Sequence, residues 1–319
     1  MPSPSPLALG LLAGAALDAL FPDPRRGHPV AAFGAAASAL ERRLYADSRA
    51  RGSLFTGLCV GAAVLAGRVV EPRGGPARAV VIAAGTWTVL GARSLRAEAS
   101  AVHEHLAADD LAAARDRVTH LVGRDPAALD ENAVARAVVE SVAENTCDAV
   151  VAPLLWGAVA GLPGLLGYRA INTLDAMVGH RSPRYARFGW AAARLDDVAN
   201  FVPARATAAL VALTAPLVGG DPRAALRTAV RDGGRHPSPN SGRSEAAYAG
   251  ALGLRLGGRN MYAGRVDDRP TMGDGKPPVA DDIPRATRLC AAVTAAATVL
   301  AAVVRAAGVS PSRCFRLRR

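Results

Sequence analysis

The chain has 319 residues, half of them apolar, 20% charged and 4% aromatic, with a positive mean hydropathy of +0.16; it is neither a disordered chain nor a typical soluble enzyme. Its apolar residues are mainly Ala, Val, Leu and Gly, and such small side chains favour close-packed helices in a membrane over a sheet. The net charge of +11 rests on arginine, with Lys276 the only lysine, and no basic face interleaved with aromatics marks a nucleic-acid binder.

The arginines fit cytoplasmic loops that obey the positive-inside rule, and some suit anionic ligands, phosphate above all. Cys59, Cys147, Cys290 and Cys314 are far apart and form no CxxC, so neither a disulfide framework nor a zinc site is expected. The opening apolar run lacks a basic leader and continues into charged sequence, so it reads as a retained span.

Apolar runs fall near 5–21, 52–70, 79–91, 149–168, 201–218 and 289–309. After the first, PDPRRGHP places Arg25, Arg26 and His28 in a basic turn whose prolines forbid a continuous helix. The second and third runs read as a membrane hairpin with its arginine-rich end on the cytoplasmic side. Residues 95 to 132 read as short amphipathic helices, with a turn at Arg124-Asp125-Pro126.

The first polar region, 130–148, opens with Asp130 as a helix N-cap. At 100° per residue, Arg136, Glu140, Glu144 and Asp148 share a stripe. Three acids at four-residue spacing repel one another on a solvated face, whereas on a bundle interior they suit Mg²⁺. Residues 149–168 are broken by Pro153, Pro163 and several glycines, which fits a kinked or re-entrant segment lining a cavity.

The second polar region, 169–200, sets Asn172 and Asp175 on one helix and Arg194, Asp197 and Asn200 on the next, with Asp196 beside Asn200. A loop carrying Arg181, Arg184 and Arg187 joins them. Acid-amide helices framing an arginine loop suit a metal-nucleotide and a second anionic substrate. In the third region, 233–262, His236, Ser238, Asn240 and Ser241 form a loop, and a helix starting near Ser244-Glu245 offers an anion site at its N-terminus. Residues 259–284 read as irregular loop. The expected architecture is therefore all-α: one polytopic membrane-embedded domain, 1–319, with broken or re-entrant helices and cytoplasmic-face loops. If the polar regions share one site, either 149–168 spans or 201–218 does not cross.

Long motifs carry a resemblance. DALFPDPRRGHPVAAFG, ARAVVESVAENTCDAVVAPLLWG, YRAINTLDAMVGHRSPRYARFGWAAARLDDVANFVPAR and HPSPNSG…EAAYAGALGLRLGG occur in order and resemble the CobD/CbiB family, the adenosylcobinamide-phosphate synthases of cobalamin biosynthesis. Cys147, Ala149, Ser241, Arg243 and Ser244 depart from the usual pattern. The resemblance implies a multi-pass inner-membrane ligase with its active site facing the cytoplasm. It would join adenosylcobyric acid to (R)-1-amino-2-propanol or its O-phosphate, using ATP and Mg²⁺, alongside other cobalamin-assembly membrane enzymes.

On that reading Glu140, Glu144, Asp175 and Asp197 are catalytic, and Glu144, Asp148 and Asp197 hold the metal. Asn172, Arg181, Arg194, Asn200, His236 and Asn240 bind substrate. The rival readings are a Mg²⁺-dependent transferase acting on a lipid diphosphate, and a transporter or sensor whose polar residues line a pathway. The transporter predicts inverted repeats, and the chain has no internal repeat.

Overall fold

The structure is a computed structural model that describes residues 5–307 apart from 25–26, 124–125, 181 and 263–264; for 259–262 and 265–268 it describes the backbone alone. In chain order the helices are α1 (Pro6–Leu20), α2 (Pro29–Leu44), α3 (Arg49–Val70), α4 (Gly75–Val89), α5 (Ala92–Ala107), α6 (Leu111–Val118), α7 (Glu131–Thr146), α8 (Ala152–Leu174), α9 (Trp190–Ala199), α10 (Phe201–Thr214), α11 (Pro222–Arg231) and α12 (Ser241–Leu252). An antiparallel hairpin, β1 (Leu256–Tyr262) and β2 (Arg265–Met272), precedes α13 (Asp282–Ala306). The fold is thus nearly all-α, as composition predicts.

The hairpin corrects the expectation of irregular loop over 259–284. Its ladder pairs Tyr262 with Arg265 and Leu256 with Met272, with an irregularity between Leu256 and Gly258. Period-two alternation is faint there because charged residues, glycines and Pro270 interrupt it. The Arg124-Asp125 turn and the Arg25-Arg26 pair lie outside the described residues.

Four helical stretches are long and apolar enough to cross a membrane: Arg49–Val70, Glu131–Gly179, Phe201–Val218 and Asp282–Ala306. The second joins α7 and α8 through a π-helical turn at Cys147–Val151 and ends in another at Asp175–Gly179. Such turns insert an extra residue and recur at functional sites. α1 has 15 residues, about 22 Å of helix against a hydrocarbon layer of about 30 Å.

The chain folds into two compact units. Of the described residues, the first contains those up to Gly91, Ala152–Asn200 and those from Ala297 on. In it α1 lies along α4, where Gly10 and Gly14 leave room for Ile82 and Thr86, and α3 lies along α8, where Gly67 meets Pro163. α8 is broken at Gly161, whose φ of 66° is left-handed. Glu71 stabilises the break: its Oε2 accepts the Leu162 N–H at 2.8 Å, and its Oε1 accepts from Arg78 Nε at 2.7 Å. Phe55, Cys59, Leu174, Val178 and Phe188 form a buried core under the C-terminal end of α8 and the turn before α9.

The second unit contains Ala92–Val151 and Phe201–Ala296. α7 packs against α5, α6 and α12, and α10, α11 and α12 pack together. Asp130 caps α7 as expected, its Oδ1 accepting the Ala133 N–H at 2.8 Å. α12 starts at Ser241, three residues earlier than expected, because Ser238 Oγ accepts the N–H groups of Asn240 and Ser241 and closes the first turn there.

Candidate active-site residues

Each unit gathers its own set of polar residues. In the first, α8 and its π-turn present Asn172 and Asp175, and α9 presents Arg194, Asp196, Asp197 and Asn200. Two hydrogen bonds fix Asn200, which is 1% exposed: Tyr168 Oη donates to its Oδ1 at 2.9 Å, and its Nδ2 donates to Asp196 Oδ2 at 3.0 Å. Burial pushes the Asp196 carboxyl up to about 7, and the charge of Asp175 adds to the effect. The Asn200 and Asn172 amides oppose it, and Asp197 raises it further.

Asp175 is held close to its own backbone: its Oδ1 occupies the space a Cβ on Gly179 would need. Asp197 is more open and pairs with Arg194, 3.3 Å away, on the exposed side of α9. The sequence reading puts Asn172 with Asp175 on one helix and Arg194, Asp197 and Asn200 on the next; in the structure Asn200 binds Asp196 and Asp197 pairs with Arg194. It places Asp196 beside Asn200, where the structure has it, but leaves it out of the candidate catalytic and metal-binding residues.

The arginine loop is engaged within the protein. Arg184 lies 3.2 Å from Glu41 and stacks over Tyr45, Tyr185 Oη donates to Glu41 Oε1 at 2.8 Å, and Arg187 pairs with Asp47. Arg181 lies outside the described residues. An open cleft of about 580 Å³ is lined by Asp23, His28, Ser38, Arg169, Thr173 and Met177. The Val30 N–H donates to His28 Nδ1, leaving Nε2 towards Asp23, 3.7 Å away. Arg169 Nη1 donates to Asn172 Oδ1 at 3.4 Å, which ties the cleft wall to the acid-amide group.

In the second unit, Glu140, 4% exposed, accepts the Gly257 N–H through Oε1 at 2.9 Å, while Arg136 Nη1 donates to the Gly257 carbonyl at 2.7 Å. The pair therefore grips the start of β1. Glu144, one turn on and half-buried, accepts from Ser241 Oγ at 2.9 Å. Asp148 follows in the π-turn, also half-buried. His236 Nδ1 lies 3.1 Å from the Ser238 amide nitrogen and 3.3 Å from its carbonyl oxygen, and Nε2 lies 3.8 Å from Glu245 Oε1. Burial, then the charge of Arg269, lowers the His236 pKa; Glu144 and Glu140 oppose the shift. Asn240, 4% exposed, accepts from Arg205 Nη1 at 3.5 Å. Glu140, Glu144, His236 and Asn240 thus surround the α12 N-terminus and the start of β1.

Among the described residues, no three His, Cys, Asp or Glu side chains are gathered so as to hold a metal. Glu144 and Asp148 belong to the second unit and Asp197 to the first. Mg²⁺ that shares ligands with substrate phosphates needs only one or two carboxylates, so the half-buried Glu144 fits such an ion.

Broken helices with membrane-length apolar stretches, carrying acids, amides and arginines at their ends, define a polytopic helical membrane protein. The chain belongs to the CobD/CbiB family: the profile described as "CobD/Cbib protein" matches residues 11–290. "Cobalamin biosynthesis protein CobD" of Mycobacterium tuberculosis is 53% identical over 298 residues, covering 93% of this chain and 95% of its own. Proteins of the same name from Geobacter metallireducens and Rhodobacter capsulatus are 48% and 43% identical, covering 84% and 90% of this chain and 87% and 91% of theirs. No solved structure matches the chain.

Proposed function

We propose that the protein acts in cobalamin biosynthesis as an ATP- and Mg²⁺-dependent ligase. It joins a propionate carboxylate of adenosylcobyric acid to the amine of (R)-1-amino-2-propanol or its O-phosphate. The observation that carries this reading is the Asp196–Asn200–Tyr168 group beside Asp175, in a chain similar along nearly all its length to cobalamin biosynthesis proteins.

An amine attacks an activated carboxyl only as the free base, so the reaction needs a group that takes the ammonium proton near neutral pH. Asp196 has that character, and Asp175 and Asp197 provide the negative surroundings that attract an ammonium. Asn172 orients the ligand, the buried Asn200 positions Asp196, and Arg194 takes an anionic group on the exposed side of α9. In the second unit His236, Asn240 and the N-terminal end of α12 suit phosphate or carboxylate oxygens. Glu144, with Asp148 one turn away, would hold Mg²⁺, which would neutralise phosphate charge as the carboxylate is activated. Glu140 supports this set by fixing Gly257.

The test is direct. Membranes containing the protein, given adenosylcobyric acid, aminopropanol phosphate, ATP and Mg²⁺, form the amide product. Product formed without ATP, or no product beyond that of membranes lacking the protein, would overturn the assignment.

A further inference from the structure

α11 has three distinct faces. Ala225, Thr228 and Ala229 are buried, and Gly250 of α12 leaves room for the backbone at Ala224. Leu226 and Val230, one turn apart, are 47% and 75% exposed. Beside them runs a stripe of exposed arginines, Arg223 and Arg227. The helix is fixed at both ends: Asp221 Oδ1 accepts the Arg223 and Ala224 N–H groups at 2.8 and 3.1 Å, and Arg243 Nη1 donates to the Ala229 carbonyl at 2.8 Å. A shallow groove of about 1000 Å³, which includes Leu226, Val230 and Arg227, runs along it.

The covering partner follows from what precedes the helix. The apolar stretch Phe201–Val218 ends with Leu213 70% and Leu217 75% exposed. Only Gly219, Gly220 and Asp221 separate it from Pro222. Three extended residues reach at most about 11 Å, so if the stretch crosses the bilayer, α11 begins at the membrane surface. A helix there, with apolar side chains on one stripe and arginines on the next, matches the acyl boundary and the anionic headgroups above it.

We infer that α11 lies in the membrane–water interface, with Leu226 and Val230 entering the acyl boundary and Arg223 and Arg227 contacting anionic lipid headgroups. This rests on the membrane-spanning reading of Phe201–Val218. The full chain carrying Cys314→Ser, with Leu226→Cys or Val230→Cys bearing a nitroxide, is reconstituted in phosphatidylcholine vesicles with or without phosphatidylglycerol; Cys59, Cys147 and Cys290 are buried. Leu213→Cys, labelled likewise, reports the span.

In phosphatidylglycerol vesicles the labels at 226 and 230 collide preferentially with oxygen over a nickel chelate. They move outward when phosphatidylglycerol is omitted or when Arg223→Gln and Arg227→Gln are introduced. Preferential nickel access at 226 and 230 with oxygen preference kept at 213 overturns the inference alone. Exclusion of both reagents, the sign of a second copy or another protein on this face, also overturns it, as does a depth indifferent to lipid charge. Nickel access at 213 as well would remove the span and the inference with it.

Discussion

At the scale of single residues, Asp196 and His236 are both shifted chiefly by burial, in opposite directions. A carboxyl whose folded pKa is raised favours the folded protein at acid pH, and that stabilisation is lost as pH rises from its ordinary value of 3.8 to about 7. Ionising Asp196 therefore costs stability at neutral pH, which fits a site kept for chemistry. If the proposed amide-forming reaction is its activity, the rate should rise with pH through about 7, in step with Asp196 ionisation. Asp196→Asn should lower kcat by about 10²- to 10⁴-fold and remove that limb, while Asn200→Asp, which adds a charge beside Asp196, should move it to higher pH. A pH–rate profile unchanged in Asp196→Asn would remove this residue from proton transfer. His236 runs the other way. Its folded pKa lies below the ordinary 6.5, so its contribution to stability is full above about that pH and falls as the unfolded chain takes up the proton. Thermal unfolding in detergent should show a loss between pH 7 and 5 that is smaller in His236→Gln.

At the scale of elements, the break in α8 depends on one carboxylate. Glu71→Ala leaves the Leu162 N–H and Arg78 without their acceptor and should destabilise the protein by about 1–3 kcal/mol. Glu71→Gln keeps an acceptor for Leu162 and should cost less, a difference that thermal melts of the two variants would show. Gly179→Ala should push Asp175 from its position and lower activity more than stability, since the added methyl competes with the carboxylate. Much of this was legible in the sequence. Proline and glycine spacing located the broken segment, Asp130 marked the start of α7, and helical periodicity put Asn172 near Asp175 and Asp196 beside Asn200. Glu71 was not legible, because its partner lies 91 positions away and no local pattern links a loop acid to a backbone N–H. Nor was the grip of Arg136 and Glu140 on Gly257, which periodicity alone read as part of an acidic stripe.

At the scale of the whole molecule, the apolar residues left outside decide the environment. Leu65, Val69, Val70, Leu213, Leu217, Val299 and Val303 are 57–76% exposed, and all lie on helical stretches of membrane length. In water such a surface would be a liability for aggregation, whereas in a bilayer it is the solvated face. On α13, Val299 and Val303 lie one turn apart, while Leu289, Cys290, Val293, Ala297 and Ala301 are buried. The two environments predict different outcomes for one substitution. If those valines met water, Val299→Asp with Val303→Asp would be a surface change within about 0.5 kcal/mol of neutral. If they meet lipid, an aspartate costs up to about 2.5–3.5 kcal/mol of insertion at the helix centre and less toward its end, so Val299→Asp carries the larger share. The expected result is that the wild-type chain stays with membranes through alkaline carbonate extraction. The double variant should show reduced insertion of α13, read as new accessibility of a tag placed after residue 307. A double variant that inserts and resists extraction as the wild type does would place this face of α13 away from lipid.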